Sequence, residues 1–286
     1  MRYGLELPNM CLNGGVRALV ELACLAEEAG WDGVFLEDYI VHWSAKEAPT
    51  YDPWITLAAM ALYTKSIRLG TTVTPLSRRR PWKLAREAVT VDHLSNGRLI
   101  LGVGLGDVND PGFTRMGEVT DAKQRARILD EALDVLVGLW SGQPFNHHGE
   151  YYQVGEVTFL PTPVQTPRIP IWVGCAWPHK GPVQRAAHWD GIVPYKYTDN
   201  GTWQDMTPAD VEALKAAIES QRTTSTPFEI MLGGRRRGPD WDQERTLIRS
   251  LAEAGMTWWG EYIEPDELAD MQACIKRIKQ GPLRID

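Results

Sequence analysis

Ser66-Ile-Arg-Leu-Gly-Thr-Thr-Val-Thr-Pro-Leu-Ser-Arg-Arg-Arg-Pro-Trp-Lys-Leu-Ala-Arg-Glu-Ala-Val-Thr-Val-Asp-His-Leu-Ser-Asn-Gly-Arg-Leu-Ile-Leu-Gly-Val-Gly-Leu-Gly-Asp107 is the stretch whose reading decides the fold. Residues 67–74 are short, apolar and β-branched, which suits a buried strand. Pro81 can open a helix, because a first-turn N–H has no partner inside the helix. Leu84, Ala88 and Val91 follow at helical spacing with Lys83, Arg86 and Glu87 between them, and Asn96-Gly97 stops the run. Residues 99–103 form a second apolar strand that runs into Gly102-x-Gly104-x-Gly106-Asp107. Two buried strands joined by a helix make a βαβ unit, hence neighbours in a parallel sheet.

Working outward, the alternation continues over the whole chain. Further strands are expected over 3–7, 33–37, 171–174, 191–194, 228–232 and 256–262. Further helices are expected over 16–29, 53–63 (with Asp52 as N-cap), 123–140, 182–187, 207–220, 242–254 and 265–278. The total is eight strands and eight helices, an α/β chain with a parallel sheet. Residues 141–170 are the longest irregular piece, and Gly149-Glu-Tyr-Tyr-Gln-Val within them reads as a hairpin strand. We take this piece as an insertion over a barrel end and the chain, 1–286, as one domain.

Hydrophobic residues at 43% and charged ones at 23% are ordinary for a globular domain of 286 residues. A net charge of -7 argues against general nucleic-acid binding, which favours basic surfaces. No apolar run approaches the ~18 residues of a membrane span, and the first residues lack the apolar core of a signal peptide. Cys11, Cys24, Cys175 and Cys274 are scattered without a Cys-x-x-Cys pair, so a reduced, cytoplasmic protein is expected.

The opening stretch from Arg68 to Asp107 resembles the third and fourth βα units of the luciferase-like monooxygenase family. Leu25-Ala-Glu-Glu-Ala-Gly-Trp-Asp-Gly-Val-Phe-Leu-Glu-Asp38 and Pro161-Thr-Pro-Val-Gln-Thr-Pro-Arg-Ile-Pro-Ile-Trp-Val-Gly174 add two blocks in the family's order. The last third of the chain carries no such block. The resemblance implies a (β/α)8 TIM barrel with a reduced flavin or deazaflavin across its mouth. It implies a bulge after the third strand, with a non-prolyl cis peptide at Thr72–Val73 backing the cofactor ring. It implies close approach of Gly104, Leu105 and Gly106 to the cofactor, and phosphate binding by backbone N–H groups at Gly174, Cys175 and Ala176. Coenzyme F420 and FMN both occur in such proteins. F420 is favoured here because Asp38 and Asp107 match carboxylate places of deazaflavin-dependent relatives. F420 implies hydride transfer with a small organic substrate, whereas FMN implies O2-dependent monooxygenation.

Active sites of such barrels lie at the C-terminal ends of the strands. Asp38 and Asp107 both end strands there and are the expected catalytic groups; an Asp in apolar surroundings has a raised pKa and can act as a general acid. Relatives often carry Asp-His where this chain has Asp38-Tyr39, which weakens any transfer of a His-based mechanism. His42 lies close enough to substitute, although a lone loop His is more often structural. Arg78-Arg-Arg80 and Arg235-Arg-Arg237 read either as solvated charge runs or as anion-binding clusters. His147-His148-x-Glu150 reads as a hairpin tip rather than a metal site. Trp54, Leu57, Met60 and Trp82 are expected on exposed helix faces as the contact of a homodimer. Two rivals remain open: a non-catalytic flavin-binding protein, and a barrel hydrolase or lyase without a redox cofactor.

Overall fold

The computed structural model describes residues 1–11, 13–42 and 49–285. Its centre is a ring of parallel strands: β1 Arg2–Leu7, β2 Gly33–Leu36, β3 Arg68–Thr71, β4 Leu99–Gly104, β5 Ile171–Ala176, β6 Gly191–Tyr197, β7 Glu229–Arg235 and β8 Trp258–Tyr262. Each pairs in parallel with the next, and β8 closes on β1 through pairs such as Gly4↔Gly260. The barrel expected from the sequence is therefore the barrel found.

The outer helices are α1 Gly15–Glu28, α2 Pro53–Tyr63, α3 Pro81–Leu94, α4 Ala122–Trp140, α5 Lys180–Ala186, α6 Pro208–Glu219, α7 Trp241–Ala254 and α8 Met271–Lys279. Local chemistry sets their ends. The Asp52 carboxylate accepts from the N–H groups of Trp54 and Ile55, with Pro53 in the first turn. Thr207 and Asp210 form a capping box at the head of α6. Asn96 and Gly97 close α3 with positive φ of 54° and 77°.

Two elements differ from expectation. The strand expected over 67–74 breaks after Thr71 and resumes pairing with β4 only at Thr74–Pro75. The helix expected over 265–278 splits into a 3-10 turn, Glu267–Ala269, and α8, because the Asp270 side chain caps a fresh start by accepting from Ala273 N–H. The insertion does hold a hairpin, Pro144–His148 against Gln153–Thr158, apart from the barrel sheet. Its His147 meets Glu131 and its His148 meets Gln153. Among the described residues no group of His, Cys, Asp and Glu could hold a metal ion.

The barrel interior explains why there is a site. Phe35, Ile100, Trp172, Met231 and Trp258 form a plug inside the ring, with Phe35–Trp172 and Trp172–Trp258 centroids 5.6 and 5.4 Å apart. Strand side chains alternate faces, so positions two residues on point inward again. For four of the plug strands those next positions are glycine: Gly102, Gly174, Gly233 and Gly260. The layer above the plug thus has few side chains of its own, and Val73 and Glu6 pack against its glycines from neighbouring strands. A second, larger core fills the space between barrel and helices, with Leu5, Leu7, Leu69, Leu101, Val173 and Ile192 on the outward faces of the strands.

The expected dimer patch is corrected by the packing. Trp54, Leu57 and Met60 are only 1%, 0% and 0% exposed and face the barrel. Helix α2 is apolar all round, so periodicity could not tell its buried face from its outer one. Its outer face carries Ile55, Leu62 and Tyr63, at 69%, 66% and 71% exposure.

Candidate active site

The bulge after β3 is built by small residues. Thr72 and Val73 are joined by a cis peptide, as the resemblance implied. Thr71 Oγ1 donates to Gly102 O at 2.8 Å, and Thr74 Oγ1 to Thr71 Oγ1 at 3.2 Å, so both shoulders of the bulge are tied to β4 or to each other. A Cβ on Gly102 would fall 1.9 Å from Thr71 O, and one on Gly104 would fall 2.6 Å from Val73 Cγ2. A Cβ on Gly174 would lie 3.4 Å from Val73 Cγ1. The Val73 side chain therefore lies over a floor of glycine, inside the mouth.

The turn after β4 is fixed from below. Gly106 has φ of 78°, and a Cβ there would strike the Phe113 ring at 2.6 Å. Arg125 Nη1 donates to the carbonyls of Leu105 and Gly106 at 2.9 and 2.7 Å, which leaves the N–H side of this turn for a ligand. Asp107 follows, but not in apolar surroundings. It is exposed, and its carboxylate accepts from Asn109 N–H at 2.8 Å. Its charge helps hold the Tyr39, Tyr195 and Tyr197 phenols in their neutral form, so it stands among these rings. Tyr195, Tyr197 and Trp203 continue as a chain of rings with centroids 5.6 Å apart at each step.

Asp38 is placed differently from the expectation. Its side chain is 1% exposed and accepts from Arg79 Nε and Nη2 at 2.9 and 2.7 Å, while Arg78 donates to its carbonyl. Arg78 also holds Asp110. Both carboxylate oxygens are thus occupied by one guanidinium, away from any ligand. The geometry makes Asp38 a clamp between the loops after β2 and β3. The same contacts engage two members of Arg78-Arg-Arg80 internally. In the second cluster, Arg235 meets Glu244 and Asp205, Arg236 meets Asp266 and Glu267, and Arg237 meets Glu261. These five arginines are engaged in ion pairs, whereas Arg80 is exposed and lies over the Trp82 ring.

Carboxyls that sequence reasoning passed over do face the mouth. Glu6 follows Gly4 on the inward face of β1 and is 8% exposed; a Cβ on Gly260 would lie 2.0 Å from its Oε1. Burial pushes its pKa up to about 7, the charge of Glu37 adds to this, and the Thr72 hydroxyl and Gly234 N–H partly oppose it. Glu37 accepts from Tyr262 Oη at 3.2 Å and meets His42 Nε2 at 3.1 Å, with His42 2% exposed. The signal that could have found Glu6 is the period-two phase of β1, which puts it on the same face as Gly4.

At the end of β5, Gly174 and Ala176 share the inward face. Cys175 points outward into the larger core at 0% exposure, and burial raises its thiol to about 12. Only its backbone can reach a ligand.

The fold and site together define a (β/α)8 barrel whose mouth carries buried carboxyls and a bulged third strand packed on glycines. The profile of the luciferase-like monooxygenase family matches residues 6–235, and the chain belongs to that family. An F420-dependent glucose-6-phosphate dehydrogenase of Amycolatopsis mediterranei is 30% identical over 242 residues, 82% of this chain and 68% of that protein. The oxygenase component of a flavin-dependent trigonelline monooxygenase of Acinetobacter baylyi is 32% identical over 161 residues, 56% of this chain and 43% of that protein. The chain also matches the glucose-6-phosphate dehydrogenase of Microbacterium testaceum at 34% identity, over only 48% of that protein's length. Among solved structures, an F420-dependent secondary alcohol dehydrogenase with an F420–acetone adduct superposes with a TM-score of 0.75 at 16% identity, covering 97% of this chain and 98% of that one. At that identity the likeness speaks for the fold alone.

Proposed function

We propose that the protein is an F420-dependent oxidoreductase that transfers hydride to or from a small organic substrate. The observation that carries this reading is the Thr72–Val73 bulge packed against Gly102, Gly104 and Gly174, a ledge against which a planar tricyclic ring would stack and which a side chain at any of the three glycines would disturb. Thr72 and Val73 would back the ring, Gly104, Leu105 and Gly106 would offer N–H groups along its edge, and Gly174, Cys175 and Ala176 would meet the phosphate through backbone. The deazaflavin, when bound, supplies the hydride chemistry. The protein's part is to orient ring and substrate, exclude water with the Tyr195–Tyr197–Trp203 wall and manage protons. Asp107 stands among the tyrosines as a proposed proton-transfer group. Asp38 is proposed to support the cofactor by holding the loops that flank it.

A second reading is FMN-dependent monooxygenation, favoured by the similarity to the trigonelline enzyme's oxygenase component. Titration of purified protein with F420 and with FMN, together with mass spectrometry of small molecules released from it, separates the two. F420 binding with no FMN binding is expected; the reverse selects the monooxygenase, and neither binding rejects both. We further propose a cytoplasmic homodimer, supported by the apolar outer face of α2. No helix among the described residues is long and apolar enough to cross a membrane.

A further inference from the structure

We propose that Glu6 and Glu37 form a proton-sharing carboxyl pair that exchanges the substrate's oxygen-bound proton during hydride transfer. This inference rests on the proposed function and adds the group that handles the second hydrogen.

The geometry carries it. Glu6 and Glu37 lie on the inward faces of adjacent strand ends, one step above the aromatic plug, where β1 and β2 pair Glu6 with Phe35. The glycines at 234 and 260 border Glu6, and any side chain at 260 would displace its carboxyl. The Thr72 hydroxyl, in the bulge itself, is buried without a hydrogen-bond partner of good geometry and faces the same carboxyl. An orphaned hydroxyl and a buried carboxyl side by side mark a place where a bound hydroxyl or carbonyl oxygen completes the bonding.

The surroundings set the charge. On β8, Tyr262 donates to Glu37, while Glu261 is taken by Arg237 and Arg277. After β2, Asp38 is taken by Arg79, and His42 lies on Glu37. After β3 comes neutral Thr72, and on β7 Arg235 turns to Glu244 and Asp205. Tyr39 lies close to Glu37 and is neutral. Among the described residues no ion pair joins a cation to Glu6. Carboxyls on neighbouring strand ends, with no cation on Glu6, favour one shared proton, with Glu6 the protonated partner.

The step balances as follows. In alcohol oxidation a bound deazaflavin would supply the acceptor for the C–H hydride and its bonding electron pair, and the carboxyl pair takes the O–H proton. The freed oxygen electron pair closes the C=O bond. In reduction the carbonyl oxygen takes the proton from Glu6 as its carbon receives hydride. His42, bonded to Glu37, connects the pair onward, and only a proton moves through these side chains.

The test uses the intact protein with Glu6→Gln and Glu37→Gln variants. Infrared difference spectra of the cofactor-free protein should contain a protonated carboxyl band that titrates near neutral pH and is missing in Glu6→Gln. In Glu37→Gln the band should titrate at lower pH, because the neighbouring charge is gone. Folding stability gives a second readout. Glu6 is protonated more readily folded than unfolded, so its contribution is present at low pH and lost as pH rises through the folded value. The melting temperature of Glu6→Gln relative to wild type should therefore rise by a few °C between about pH 5 and about pH 8. With F420 loaded, Glu6→Gln should slow hydride transfer about 10²-fold and erase the limb of the pH profile near neutrality. No titrating carboxyl band, or a variant with an unchanged pH profile, overturns the proposal. If Glu6→Gln fails to fold, the shift in Glu37→Gln decides alone. Wild-type protein that binds no cofactor rejects the functional reading instead, and the infrared and melting results still decide whether the pair exists.

Discussion

Single atoms control access to the mouth. Gly104 tolerates no Cβ, because Val73 Cγ2 would lie 2.6 Å from it, and Val73 is held by the bulge. Gly104→Ala is expected to cost about 1–3 kcal/mol through overpacking and to weaken cofactor binding at least about tenfold, an effect on affinity of about 1.4 kcal/mol. Thermal melts and cofactor titration of the variant check both. Asp107 makes the opposite case. Its exposed carboxylate accepts from Asn109 N–H, a bond an asparagine oxygen can keep, so Asp107→Asn is expected to keep the fold within about 1 kcal/mol. Cofactor affinity should stay, and turnover should fall about 10²-fold if its proposed proton role is real. Unchanged single-turnover rates would reduce Asp107 to a loop cap.

At the scale of elements, the loops after β2 and β3 behave as one unit. Arg79 and Arg78 join Asp38 to Asp110, and Arg78 packs over the Phe113 ring at 5.1 Å. Arg79→Ala leaves the buried Asp38 charge without its bidentate partner, which typically costs about 3–5 kcal/mol. The expected result is a lower denaturation midpoint with faster amide exchange confined to these loops. At the other end of the barrel, Arg98 does similar work without a carboxylate. It donates to the carbonyls of Ala61, Thr64, Ile67 and Ser95 and to Thr64 Oγ1, tying α2 and α3 to the start of β4. Arg98→Met is expected to destabilise by about 3 kcal/mol, since several buried carbonyls lose their donor, with no change in cofactor affinity.

At the scale of the whole molecule, the two arginine clusters are mostly engaged in ion pairs, and Arg80 is the exposed member of the first. Cofactor affinity should depend weakly on salt where backbone N–H groups meet the anion, and steeply where Arg80 does; titration at two salt concentrations separates these. The outer face of α2, with Ile55, Leu62 and Tyr63, is the proposed dimer contact. Light scattering should give a dimer mass, and Leu62→Glu should give a monomer; a wild-type monomer at micromolar concentration would remove the proposal.

The sequence by itself determined the alternating strands and helices, the stopping of α3 at Asn96-Gly97, the family and the place of the bulge. These depend on local periodicity, turn chemistry and short ordered motifs, all of which lie within a few residues of one another. Only the tertiary structure decided which polar groups are free. Asp38 and Glu6 both sit on apolar strands or at their ends, and nothing local separates them. The Asp38 carboxylate is taken by Arg79, 41 positions away in the chain, while Glu6 is left beside Glu37 and the Thr72 hydroxyl. The same holds for α2, whose buried face was chosen by the barrel and not by its own composition. Closing the ring brings distant charges together, and the pairing that results is a property of the closed barrel alone.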